Sequence, residues 1–300
     1  MMNNKIIERE NESASIEKLT AQREIYSIAK FLFILQTLFS VVILVLLSFS
    51  QLLFQCIDFT LIIATISLLA VIIDYGLEIK INRLKELAAK VQEHFDTYVL
   101  QLNWNSILCL DKPEYDLIHN YYQQHKEKND ISQFVNWYEP EIQKVEENVA
   151  RLICQKTNCN YDKSIRKRYN TVVMWTGIIT ISLIILFTIF SGLTLAKILL
   201  TIIFPSIPIL QWTLRNIHSN NQSILTLEQL NSLINSNWEQ AKNGLNIDNS
   251  TLRQIQDGIF LNRKSSPLIP DYVYNKMRSK LEKQTRYTVK QLVNEILSKK

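Results

Sequence analysis

A chain of 300 residues has room for one large or two ordinary soluble domains, but its 47% apolar content is too unevenly spread for either. Only five glycines occur in the whole chain, which argues against a strand-rich fold and against a phosphate-cradling glycine loop. The formal charge of +5 is modest, so where it sits matters more than its size.

Residues 1–30 are polar and are expected to form a cytosolic N-terminal helix. Their last ten residues, "AQREIYSIAK", set Gln22, Arg23, Tyr26 and Lys30 just before an apolar run. From Phe31 to Ile73 the only charge is Asp58. A bilayer core about 30 Å thick takes roughly 20 apolar residues as helix, so this run is long enough to cross twice with a tight turn. Spans are expected at about 31–50 and 54–74, turning near "SFSQLLF". A cleaved signal sequence does not fit, because the polar start and the length of the run both exceed what such a segment carries.

Residues 75–170 read as a cytosolic helical insert, with 14 Lys/Arg balanced by 14 Asp/Glu. Leu84, Leu87 and Val91, then Phe95, Val99 and Leu102, recur at helical spacing, so the second span is expected to continue into this insert. A break is expected at "NWNSILCLDKP", then a helix near 113–128 and another from about 139 to 170, with Pro140 tolerated in its first turn.

The second apolar run, Thr171 to Leu214, again holds one charge, Lys197. It is expected to cross at about 171–190 and 194–214, turning near "FSGLTLAK". Two buried soluble hairpins are the competing reading, but a globular core does not easily hide two such segments lacking a polar face. The tail 215–300 carries 13 Lys/Arg against 7 Asp/Glu. Helices are expected near 214–243, 249–261 and 271–298. A basic tail beneath a bilayer suits anionic headgroups or an anionic ligand.

Arg23, Lys30, Lys80, Arg83, Lys85, the cluster Lys163, Arg166, Lys167 and Arg168, and Arg215 all flank the runs on their polar side, whereas the two turns hold only Lys197. The positive-inside rule then places the polar regions and both termini in the cytoplasm of a multi-pass protein. Trp175 and Trp212 fall where an aromatic belt is expected at the inner face. The fold class is therefore an all-α integral membrane protein, with transmembrane hairpins at 31–74 and 171–214. Cys109, Cys154 and Cys159 are expected as reduced thiols in that compartment, because their spacing fits no zinc motif.

Enzyme signatures are missing: no H-E-x-x-H, G-x-S-x-G, P-loop or dinucleotide fingerprint occurs, and the four histidines are scattered. No catalytic residue, metal or cofactor is expected. Polar clusters on the insert and tail offer a binding chemistry instead. Asp96, Trp104 and Asn105 follow the apolar stripe of the insert. Asp162, Arg166 and Tyr169 share one helical face, with Arg168 pointing elsewhere. In the tail, Arg253, Gln256, Asp257 and Phe260 are expected on an open face opposite a buried one of Leu252, Ile255 and Ile259, and Arg263 and Lys264 are expected to enter a proline-bracketed loop. Arginines, amides, carboxylates and aromatics together suit a nucleotide, with its phosphates and stackable bases. The candidate ligand-binding set is Arg166, Arg168, Arg253, Gln256, Asp257 and Arg263, with Trp104 and Tyr274 as stacking partners.

At "LTAQREIYSIAK", "FDTYVLQLNWN", "ICQKTNCNYDKSIRKRY" and "LRQIQDGIFLNRKSSPLIPDYVY" the sequence resembles the SMODS-associated four-transmembrane effector family of bacterial conflict systems. It departs from that family's usual arginine at Lys156 and tryptophan at Tyr161. The resemblance implies a CBASS-type antiphage effector in the bacterial inner membrane, functionally linked to a nucleotidyltransferase. Its expected partners are the lipid bilayer, a cyclic oligonucleotide second messenger and further copies of itself, with no nucleic acid polymer among them. Ligand binding in the cytosolic part is expected to lead to permeabilisation of the membrane and death or arrest of the cell. The competing reading is a membrane scaffold or transport component whose cytosolic helices bind a protein.

Overall fold

A computed structural model describes residues 4–43, 60–190 and 203–298, with positions 46, 194, 198 and 199 between them. In chain order the helices are α1 (Ile6–Glu10), α2 (Ser13–Thr37, extended by one wide turn, Leu38–Val42), α3 (Thr60–Val99), α4 (Ser106–Cys109) and α5 (Tyr115–Lys126). Two short tight turns (Ser132–Phe134 and Pro140–Lys144) precede α6 (Glu147–Phe190), α7 (Phe204–Lys242), α8 (Asn249–Ser265) and α9 (Asp271–Leu297). The all-helical expectation holds: among the described residues no strand occurs. The turns expected near 48–54 and 190–197 lie mostly outside the described residues, as do Cys56, Asp58 and Lys197.

Local chemistry ends α3 and α7 near where the sequence signals a break. After α3, Gln101 takes a left-handed conformation (φ 49°), its N–H donating to the Tyr98 carbonyl and that of Leu102 to Thr97. This is a Schellman stop with glutamine in glycine's usual place, held also by the Gln101 side chain on the Tyr98 carbonyl at 2.8 Å. Gly244 (φ 73°) closes α7 in the same way, with Leu245 donating to the Gln240 carbonyl. Asn105 caps α4, its side-chain oxygen accepting from the N–H groups of Ile107 and Leu108.

Two boundaries and one helix face depart from the sequence reading. Helix α6 begins at Glu147, not near 139, because the Asn4 amide donates to the Ile142 carbonyl at 2.8 Å and reaches Val145 at 3.4 Å. Those carbonyls are thereby taken from a continuing helix, and Val145 is extended. Helix α8 runs on through Ser265, so Arg263 and Lys264 sit in its last turn and not in the loop. The expected open face of α8 is buried: Gln256 and Phe260 are as fully enclosed as Leu252 and Ile255. Asp96 on α3 and Gln155 on α6 give the polar half of α8 a partner on the inside.

Two antiparallel pairs, α2 with α3 and α6 with α7, form the frame, and α8 and α9 lie across the second. The body is held by one large core that includes Phe95, Leu152, Ile153, Leu227, Ile234 and Ile255. The stripe read from the insert is buried: Phe95, Val99 and Leu102 face this core, and Val91 faces a smaller one with Ala21 and Ile25 of α2. At the other end the apolar residues have no internal partner. Leu61, Leu68, Val71 and Ile72 on α3, and Ile179, Leu183, Ile189 and Phe190 on α6, are largely exposed. The wide turn Leu38–Val42 touches α7, so the two apolar arms stand side by side. An exposed apolar zone of this extent needs an apolar surrounding. Among the described residues α6 is the one helix long and apolar enough to cross a membrane.

Candidate functional site

Where α3, α6 and α8 meet in the body, the apolar core gives way to a buried polar network. Glu93 and Asp96 lie three apart on α3, hence on one face, and both are sealed from solvent. Glu93 accepts from Arg253 Nη2 at 2.6 Å and from Gln256 Nε2 at 2.8 Å. Asp96 accepts from the same Gln256 nitrogen at 3.0 Å, from Arg263 Nη1 and from the Tyr138 hydroxyl at 3.3 Å. Gln155 on α6 donates to the Gln256 side-chain oxygen at 3.3 Å and to the Leu252 carbonyl at 2.8 Å. Towards the surface, Arg253 also binds Asp257 at 2.8 Å and the Asn103 carbonyl at 2.8 Å, and Asn105 donates to Asp257 at 3.0 Å.

Burial pushes the Glu93 carboxyl above its ordinary range, while Arg253 opposes that rise. For Arg263 the balance runs the other way. Desolvation disfavours its charge, but Asp96, helped by Glu93 and Tyr26, outweighs it and holds the guanidinium firmly protonated.

A second polar layer lies nearer the apolar arms. Arg166 on α6, 6% exposed, donates Nε to Asp162 at 3.0 Å and Nη1 to the Asn220 oxygen at 3.1 Å and the Pro267 carbonyl at 3.3 Å. Asn220 on α7 is fully enclosed, and its amide donates back to the Arg166 carbonyl at 2.8 Å and to Asn170 at 2.7 Å. Asn262 of α8 belongs to this second layer, donating to Asp162 at 3.2 Å and accepting from Ser223 at 2.8 Å. At the start of α9, Asp271 faces Lys30 at 2.7 Å and Arg23 at 3.2 Å, and the Arg23 guanidinium lies 5.0 Å over the Tyr274 ring.

The structure therefore gathers half of the expected ligand set. Arg253, Gln256, Asp257 and Arg263 share one network, and Arg166 lies in the second layer, bound to Asp162, Asn220 and the Pro267 carbonyl. Trp104 is at its outer edge, packed against the Ala89, Cys109 and Phe260 cluster, with its indole donating to the Leu110 carbonyl at 2.8 Å. Tyr274 stands apart, in the cluster of Ile165, Tyr169 and Val173 and beside the Tyr161 ring. Arg168 is exposed and joins neither layer. The expectation that these are surface groups fails for Gln256, Arg166 and Arg263, whose partners arrive from helices distant in sequence.

Sequence reasoning missed Glu93 and Asn220. Glu93 left a signal, an acid one turn before Asp96 beside the apolar stripe. Asn220 left none, since an asparagine in a polar helix looks the same whether exposed or enclosed. An open groove between α2 and α5, lined by Glu17, Lys18, Tyr115 and His119 among others, holds none of the expected ligand residues. Among the described residues no group of His, Cys, Asp or Glu gathers to hold a metal ion, and Cys109, Cys154 and Cys159 are free and buried.

A helical polar body joined through continuous helices to exposed apolar arms is the build of a membrane-associated protein. The chain belongs to the SMODS-associating 4TM effector domain family, whose pattern matches residues 4–292, nearly its whole length. It is similar to a probable CBASS effector molecule of Bacillus cereus (strain VD146), with 26% identity over 275 residues, or 90% of this chain and 92% of the relative. No solved structure matches it.

Proposed function

We propose that this protein is an antiphage effector of the bacterial inner membrane, set there by two helical hairpins with the polar body and both termini inside the cell. A cyclic oligonucleotide made during infection binds the polar body, and copies of the chain then assemble through their apolar arms and permeabilise the membrane. The observation that carries this reading is the continuity of α6. The same helix that bears Asp162 and Arg166 at the polar junction runs without a break to Phe190 among the exposed apolar residues. A ligand that favours one arrangement of the junction over another shifts the population of arm positions by its difference in affinity for the two. Family membership and the relative's description as a probable CBASS effector support the same assignment.

Purified protein in liposomes is expected to release entrapped dye when a cognate cyclic oligonucleotide is added. Equal leakage with and without every cyclic nucleotide tested discards the gating claim.

A scaffold reading draws on one observation. Every arginine of the expected ligand set except Arg168 already has an internal partner. A body complete in itself serves a protein partner as well as a small ligand. Copurification of a stable protein partner, with no heat of nucleotide binding, favours that reading.

A further inference from the structure

The loop 266–270 closes over the place where α2, α3 and α6 meet, and the charges there do not balance. Leu268 packs on Ala29 and Ile81, and the Pro267 carbonyl lies on Arg166. Lys85 of α3, only 8% exposed, contacts just the Asn82 oxygen at 3.5 Å, with no carboxylate within 4 Å among the described residues. The acid it feels is Glu78, nearly two turns back, which is itself engaged by Asn82 and Gln36, and it is repelled by Arg166. Glu86, its neighbour along α3, is taken by Lys264 and Lys90. On the α2 side Arg23 and Lys30 share the single carboxylate of Asp271. Tyr26, between them in sequence, has its phenol within the fields of Arg166, Arg263 and Asp162. Arg263 is matched by Asp96. Four cations, Arg23, Lys30, Lys85 and Arg166, thus face three carboxylates, Asp162, Asp271 and the more distant Glu78. An enclosed ammonium without a close counter-charge is costly, and once Asp271 swings away the remaining excess of two positive charges equals the charge of one phosphate dianion.

We propose that Lys85 and Arg166, with Arg23 and Lys30, form a binding site for a phosphate-bearing anion beneath the loop 266–270. The anion displaces Asp271 from Arg23 and Lys30 and takes the unmatched charge of Lys85. Arginine supplies a planar fork for two phosphate oxygens, and lysine a point charge. Asp271 begins α9, whose first turns pack on Tyr169, Val173 and Trp212 near the apolar arms, so its release alters what holds α6 and α7 there. Two sources carry this chemistry: a soluble nucleotide of the kind named in the proposed function, on which that arm rests, or the headgroup of an anionic lipid.

The full chain in detergent is titrated with inorganic pyrophosphate in low salt. Binding is expected, about tenfold weaker in Lys85→Gln and several-fold tighter in Asp271→Asn, which frees two cations at a partly exposed position. The opposite signs keep the test readable if one variant folds poorly, and Lys85→Arg is expected to restore binding. Competition by a cyclic oligonucleotide assigns the site to the soluble signal, and competition by phosphatidylglycerol but not phosphatidylcholine nanodiscs assigns it to a lipid headgroup. Absent pyrophosphate binding, equal affinity in wild type and Lys85→Gln, or no effect of either competitor overturns the proposal. Nucleotide-gated leakage that survives Lys85→Gln overturns the soluble nucleotide as the occupant of this site while leaving the proposed function standing.

Discussion

Asp96 and Arg263 are joined where almost no water reaches either side chain, 2% and 12% exposed respectively. Truncating one partner of such a pair strands the other. Arg263→Ala is therefore expected to destabilise the fold by about 3–5 kcal/mol, read by chemical denaturation in detergent. Arg168→Ala, on the exposed flank of the same polar region, is expected to change stability by less than about 0.5 kcal/mol. Lost ligand response in an Arg263 variant thus reports folding before it reports contact, and Lys85→Gln is the more direct probe. Glu10 gives a second test at this scale. One oxygen accepts the Tyr138 N–H at 2.9 Å, the other has no partner, and burial raises the carboxyl to about 8 against the Tyr138 hydrogen bond, with Glu139 adding to the rise. A group whose folded pKa is raised keeps a proton that the unfolded chain gives up, so stability falls as pH climbs from about 5 to about 8. Glu10→Gln is expected to flatten that slope when unfolding is followed across this range. Residue types at the polar junction were legible in the sequence, since Arg253 and Asp257, or Asp162 and Arg166, announce themselves at four-residue spacing. Their enclosure was not, because it depends on Glu93, Asp96 and Asn220 arriving from helices 50 to 160 residues away.

Elements behave as their periodicity dictates until another part of the chain captures a backbone group. The stripe on α3, the stop at Gln101 and the proline-bracketed loop follow from local pattern, whereas the late start of α6 follows from Asn4, 138 residues from the carbonyl it takes. Between α6 and α7 the spacing is set by Gly177. A β-carbon built there would lie 2.8 Å from Thr213 Cγ2, and a β-branched threonine has few other rotamers to adopt. Close approach at a small residue is how helices pack when no water drives them together. Gly177→Val is expected to push the pair apart, costing about 1–3 kcal/mol and lowering the melting temperature in detergent, with the polar body's stability to denaturant unchanged.

For the whole molecule, hydropathy alone divided the chain into polar body and apolar arms, and the exposed residues of α3 and α6 mark the same division in space. That the arms stand together was not legible, since it rests on Leu38–Val42 meeting α7. Under the proposed topology a reporter fused after residue 300 is active only in the cytoplasm, and protease added outside intact cells leaves the 110–130 region uncut. Cleavage there from outside removes the internal trigger. Helix α6 also fixes a scale for any signal. From Arg166 to Phe190 it rises about 36 Å at 1.5 Å per residue, so a tilt of roughly 10° about its polar end sweeps the far tip by ~6 Å. Under the proposed function, a pivot in which one phosphate-sized guest is lodged or missing becomes a displacement wider than a water molecule in the lipid.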